Sequence, residues 1–256
     1  MRSSLTVCAA LALSVSAASA EGCPTAKDEI ATDRPDVANS SLVVPAGSLQ
    51  VENGINASSQ GTAHGYDGTN TRLRLGIAPC LEFLVDLPTY FGSFQRVNRT
   101  GFTDLTPAIK WQISPAPGKV DLSAVFGMAL PTGTRSVAGL GVQPYLQAPW
   151  SVELGGGWAV NGMVTEFFRP SDPGDTLITE ATFSIEKKVG EHADLFVEYV
   201  GDYPNHTKPA LLLNTGGGFR LTPLEQLDFH VAFGLTRAAP STIFGVGYSW
   251  RRDSLF

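Results

Sequence analysis

Residues 226–235 read Gln226-Leu227-Asp228-Phe229-His230-Val231-Ala232-Phe233-Gly234-Leu235. Every second side chain, from Leu227 to Leu235, is apolar, and those between are polar or small. Successive side chains of a strand point to opposite faces, so this segment predicts a strand with one apolar and one polar face. The last strand repeats the pattern. Thr242, Phe244, Val246, Tyr248 and Trp250 alternate with Ile243, Gly245, Gly247, Ser249 and Arg251.

Working back from these two, the same period recurs from Ser48 onward and predicts about twelve strands. The connectors between them alternate between short and long. Residues 78–80, 114–118, 154–157, 189–191 and 222–225 are short, while 58–70, 90–101, 132–141, 168–175 and 202–208 are longer, and 237–240 breaks the rule. A soluble β-sandwich also alternates, but it has no reason to sort its loops by parity. Short turns on one side and longer loops on the other, over an even strand count, are the signature of a bacterial outer-membrane barrel. The expected fold is therefore all-β: an antiparallel transmembrane β-barrel of outer-membrane type. Its aromatic girdle would include Trp111, Trp150, Trp158 and Trp250, on the apolar face near the short turns.

Composition agrees. Charged residues are 16% of the 256, against about a quarter in soluble domains. Mean hydropathy is only +0.04, and beyond the N-terminus no stretch approaches the roughly 18 apolar residues of a membrane helix. A net charge of −6 and a pI near 5.2 argue against nucleic acid as a partner.

The chain divides into three parts. Met1-Arg2, the apolar Leu5–Val15 and Ala18-Ser19-Ala20 form an expected export signal cleaved after Ala20. Residues 21–47 are a polar, Pro-punctuated leader, and 48–256 are the barrel. With an even strand count both barrel termini lie on the periplasmic side. Cys23 in the leader and Cys80 in a short turn then share that side, and an exported pair favours a disulfide.

Parity assigns the lumen. Glu52, Arg72, Arg74, Asp104, Lys110, Glu180, Glu198, Arg220, Asp228 and His230 are the expected lumen-facing candidates for meeting a solute. The signs are mixed, which suggests salt-bridged walls rather than a one-sign filter, with Glu52 in reach of Arg72 or Arg74. His230 is expected to hydrogen-bond a neighbouring carboxylate. In the leader, Asp33, Arg34 and Asp36 are candidates for a plug paired to those walls, the alternative being a disordered tail. Gly155-Gly156-Gly157 and Gly216-Gly217-Gly218 lack the following Lys and Ser/Thr of a phosphate cradle. The histidines lack metal-ligand spacing, and no His-x-Ser dyad supports catalysis, so no metal, cofactor or reaction is expected.

Five further stretches carry a family resemblance. Ile30-Ala31-Thr32-Asp33-Arg34-Pro35-Asp36 is followed by Val44-Pro45-Ala46-Gly47-Ser48-Leu49-Gln50-Val51-Glu52-Asn53-Gly54. Later come Gly101-Phe102-Thr103-Asp104-Leu105, Ala129-Leu130-Pro131-Thr132-Gly133 and Leu154-Gly155-Gly156-Gly157-Trp158. From about residue 30 to the C-terminus the chain resembles the bacterial outer-membrane family described as transporter or "MetA-pathway of phenol degradation" proteins. The last strand, with Gly245, Tyr248 and Trp250 and the closing Phe256, resembles the C-terminal signal read by the barrel-assembly machinery. Together these imply a channel passing small solutes, aromatic or hydrophobic compounds among them, with outer-membrane lipid and the assembly machinery as partners. The alternative is a non-transporting structural or assembly barrel of the same membrane.

Overall fold

The computed structural model describes residues 28–94, 98–116, 120–172 and 174–256. The expected signal peptide and Cys23 lie outside the described residues. Fifteen strands run in order: β1 (Leu49–Gln60), β2 (Ala63–Gly68), β3 (Arg72–Ala78), β4 (Leu81–Asp86), β5 (Tyr90–Phe94), β6 (Arg99–Phe102), β7 (Thr106–Ala116), β8 (Val120–Ala129), β9 (Gln143–Gly155), β10 (Trp158–Phe168), β11 (Leu177–Val189), β12 (Ala193–Pro204), β13 (Ala210–Thr222), β14 (Glu225–Gly234) and β15 (Thr242–Arg252).

These make a closed antiparallel barrel of 12 staves. β1 pairs β2 through its upper half, Ile55–Gln60, and β3 through its lower half, Leu49–Glu52. β2 and β3 are thus one interrupted stave, and β4 with β5 and β6 with β7 are two more. β15 returns to β1 in a register running from Leu49↔Arg252 to Ser59↔Thr242, which closes the wall.

Polarity is inverted relative to a soluble protein. The largest fully buried side chains include Arg74, Lys110, Gln50, Glu52, Glu82 and Glu198. Phe126, Phe183, Phe229, Val197 and Leu195 stand outside, each about half exposed or close to it. An apolar outer band around a polar interior is the arrangement a hydrocarbon bilayer imposes.

Two expected long loops are largely strand. Residues 58–70 contain the tops of β1 and β2, joined by a turn at Gly61-Thr62, and 90–101 contain β5 and β6. Ser58, Ser59, Gln60, His64, Gly65 and Asp67 hide the alternation in sequence, although Tyr66, Tyr90, Phe94 and Phe102 form a run of ring contacts on the outer face. Pairing there is read from backbone hydrogen bonds alone.

Candidate functional site: the occupied lumen

The leader enters the barrel at the short-turn end. Ile30 N–H donates to the Pro223 carbonyl at 2.8 Å, and Arg251 Nη1 donates to the Glu29 carbonyl at 3.0 Å. The chain then turns inside the lumen and leaves over β3, where Gly47 N–H donates to the Gly76 carbonyl at 2.8 Å and Gly76 N–H to that of Ser48 at 3.0 Å. Residues 28–47 form neither helix nor strand. Their backbone donors therefore need other acceptors in a confined space, and carboxylates and an amide of the wall supply them. Asp33 N–H donates to Glu52 (3.0 Å), Ala38 N–H to Glu198 (2.9 Å), Val44 N–H to Glu82 (2.6 Å) and Val43 N–H to Gln112 (3.1 Å). Ser41 Oγ lies 2.7 Å from Ser151 Oγ.

Asp33 is the centre of the ionic network. Its carboxylate stands 3.0 Å from Arg72 Nη1, 3.2 Å from Arg74 Nη1 and 3.3 Å from Lys110 Nζ. The same cations meet wall acids: Arg74 pairs with Glu52 (3.1 Å) and Glu82 (3.0 Å), and Arg72 with Asp86 (2.6 Å). Burial alone would raise the Asp33 pKa, but Arg74, Lys110 and Arg72 outweigh it and hold the carboxyl well below the usual range. Asp36 is the opposite case. Burial, then the neighbouring charges of Glu198 and Glu186, push its carboxyl well up.

Arg34 reaches the wall at Asp228, 3.2 Å away. Its guanidinium lies against Gly54 and Gly247, which face each other in the β1–β15 register. A Cβ on either glycine would run into Arg34, so the wall is cut away where the leader's arginine lies.

The remaining candidates are distributed around this core. Arg220 contacts Glu29 (3.7 Å), Asp194 (3.4 Å) and the Glu191 carbonyl (2.9 Å) at the entry. Glu198 also accepts from Asn214 (2.9 Å). Glu180 lies on the lumen face of β11, with Thr165 and Asp202 as register neighbours on either side. His230 differs from expectation: its ring nitrogens meet Asn214 Oδ1 (3.0 Å) and Asn56 Oδ1 (3.2 Å), two amides rather than a carboxylate. Asp104 sits in the break between β6 and β7. There it accepts from the Gly133 (2.8 Å) and Gly139 (3.1 Å) amides and fastens the 130–142 loop over the bore. Cys80 occupies the β3–β4 turn with φ 62, while Cys23 lies outside the described residues.

Glu82 and Asp86, outside that shortlist, are anchors of the network too. Both sit on the polar parity of β4; Glu82 accepts from the leader's Val44 N–H, and Asp86 steadies Arg72. The seated leader leaves two cavities. One of about 600 Å³ faces the short-turn end among Asp36, Glu186, Lys188 and Arg220. The other, about 510 Å³, faces the loop end among Arg72, Asp86, Thr89 and Asp104.

Comparison with known proteins follows the same lines. The sequence profile of a family described as "Putative MetA-pathway of phenol degradation" matches residues 32–252. No curated protein sequence matches the chain. A crystal structure of the COG4313 outer membrane channel from Pseudomonas putida F1 superimposes with a TM-score of 0.58 at 14% identity, covering 82% of this chain and 97% of that one. The NanC porin gives 0.56 at 8% identity (79% and 98% covered), and the KdgM porin 0.52 at 9% identity (79% and 98%). At these identities the likeness is one of fold.

Proposed function

The chain belongs to the phenol-degradation MetA-pathway family, and from that premise we propose that it is a passive outer-membrane channel for small molecules, with its own leader as an internal plug. The observation that carries this reading is the position of residues 28–47. They fill the middle of a closed polar bore and leave a solute-sized cavity on each side. Twelve strands give a narrow lumen, between side-chain-filled small barrels and open porins, so one short segment suffices to restrict it. Transport requires no bond to be made or broken, only that the leader shift or withdraw. Small molecules with aromatic or hydrophobic bodies are the solute class that fits the family.

The apolar outer band suits membrane lipid as the partner of the wall, and the strand with Gly245, Tyr248 and Trp250 would be the segment offered to the assembly machinery. Residues 1–20 would serve as the export signal and be cleaved after Ala20. A Cys23–Cys80 disulfide would tether the leader beside the β3–β4 turn, at the end where it enters.

Single-channel conductance of residues 21–256 in a planar bilayer, beside a chain lacking 21–47, tests the reading. A larger current from the shortened chain is expected. Silence from both, with heat-modifiable gel mobility proving them folded, would overturn the channel and favour the structural-barrel alternative, which the density of salt bridges across the lumen also suits.

A further inference from the structure

The position of Asp33 is a carboxylate site with three cationic donors, and its present occupant belongs to the leader rather than the wall. Arg72, Arg74 and Lys110 come from β3 and β7, and the side chains of Arg74 and Lys110 are completely buried. Although Glu52, Glu82 and Asp86 share these cations, each cation keeps a donor within 3.3 Å of Asp33. The same three cations hold the Asp33 carboxyl in its ionised form.

Beside this site the lumen wall changes character. Strand register places Leu84 next to Arg74, Ala108 next to Leu84, Gly127 next to Ala108, Tyr145 next to Gly127 and Phe167 next to Tyr145. Val125 is likewise the neighbour of Lys110. Leu84, Ala108, Val125 and Tyr145 pack as one buried cluster with Phe167 against it, the last two rings 5.9 Å apart. Gly127 lacks the Cβ that would collide with the Tyr145 ring, so that ring lies flat along the wall. An apolar strip on the inner face of a barrel otherwise lined with charge, starting where two of the three cations stand, is an amphipathic surface.

We propose that Arg72, Arg74 and Lys110, with the adjoining Leu84–Tyr145 strip, form a binding site for solutes carrying one carboxylate on an apolar or aromatic body, and that Asp33 holds the carboxylate position until such a solute replaces it. Charge-assisted hydrogen bonds from two guanidinium groups and an ammonium would fix the acid group. The strip would take the body, removing its apolar surface from water. The solute thus competes with the leader for one set of donors, which couples binding to opening. This inference rests on the barrel being a conduit, but the two fail separately.

Calorimetric titration of the full mature chain in detergent tests it, with benzoate, acetate and benzyl alcohol as probes. Asp33→Asn is expected to bind benzoate at least tenfold tighter than the unmodified chain. Acetate should bind it more weakly than benzoate, and benzyl alcohol should show no saturable binding. Adding Arg72→Gln to Asp33→Asn should abolish the benzoate signal, with gel mobility showing that the barrel still folds. Equal benzoate affinity with and without Asp33, or benzyl alcohol binding as well as benzoate, would overturn the site. Acetate equal to benzoate would remove the strip from it. If benzoate binds but neither the unmodified nor the leaderless chain conducts, the site stands and the channel falls. Conductance without benzoate binding is the reverse.

Discussion

Asp33 is the residue on which leader and wall depend together. Removing one partner of a buried ion pair leaves the others uncompensated and costs about 3–5 kcal/mol. Asp33→Asn should therefore loosen the leader, and proteinase K should then cut within residues 30–46, which should resist it in the unmodified protein. Gly54→Ala is a milder test of the same contact. It places a Cβ in the path of the Arg34 guanidinium, the movable end of a side chain, so the barrel should fold while leader protection falls. Unchanged protection in Gly54→Ala would mean Arg34 does not hold the leader against that wall. Acidity works in two directions here. The lowered Asp33 supports docking above its ordinary pKa of 3.8 and loses that support as pH falls through its depressed value. The raised Asp36, facing Glu198 and Glu186, opposes docking when ionised, so docking strengthens as pH falls through its elevated value. Conductance should accordingly be lower on the acid side of the Asp36 titration than on its alkaline side, and Asp36→Asn should flatten that difference.

At the scale of the strand, outer and inner faces tolerate different chemistry. Phe229 sits at the middle of β14 with about half its surface open to the surroundings. Phe229→Arg should destabilise the barrel by about 2–4 kcal/mol in urea unfolding from lipid, as expected for arginine on the lipid face at mid-membrane. An effect well under 1 kcal/mol would place that residue outside the hydrocarbon zone. The same alternation explains what sequence could reveal. Leu227, Phe229, Val231 and Phe233 betray β14 because lipid demands an apolar residue at every second place. The tops of β1 and β2 and all of β5 and β6 are short and interrupted by glycine and polar residues, and read as loops although Tyr66, Tyr90, Phe94 and Phe102 make ring contacts on their outer face. Asp33 and Arg34 were visible as charges in a polar leader, but their partners were not. Nothing local ties Arg34 to Asp228, separated by 194 positions in the chain. The closing of the barrel alone brings β14 and β15 beside β1.

Considered as a whole molecule, the barrel and leader are one unit stabilised from within. The leader has no secondary structure to satisfy its backbone, and Glu52, Glu82, Glu198 and Gln112 accept the donors that a helix or strand would have paired internally. Such contacts are individually reversible, and a segment held by them can leave without the wall unfolding. The measurement that tests this most directly is a reversible tether. Ser41 and Ser151 face each other across the leader–wall contact with their hydroxyls 2.7 Å apart, close enough for paired cysteines to bridge. In the Ser41→Cys/Ser151→Cys protein the bond should form under mild oxidation, single-channel current should stay low while it is closed, and reduction should raise the current severalfold. Failure of the bond to form in a folded barrel, or the same current before and after reduction, would contradict a leader that closes the lumen.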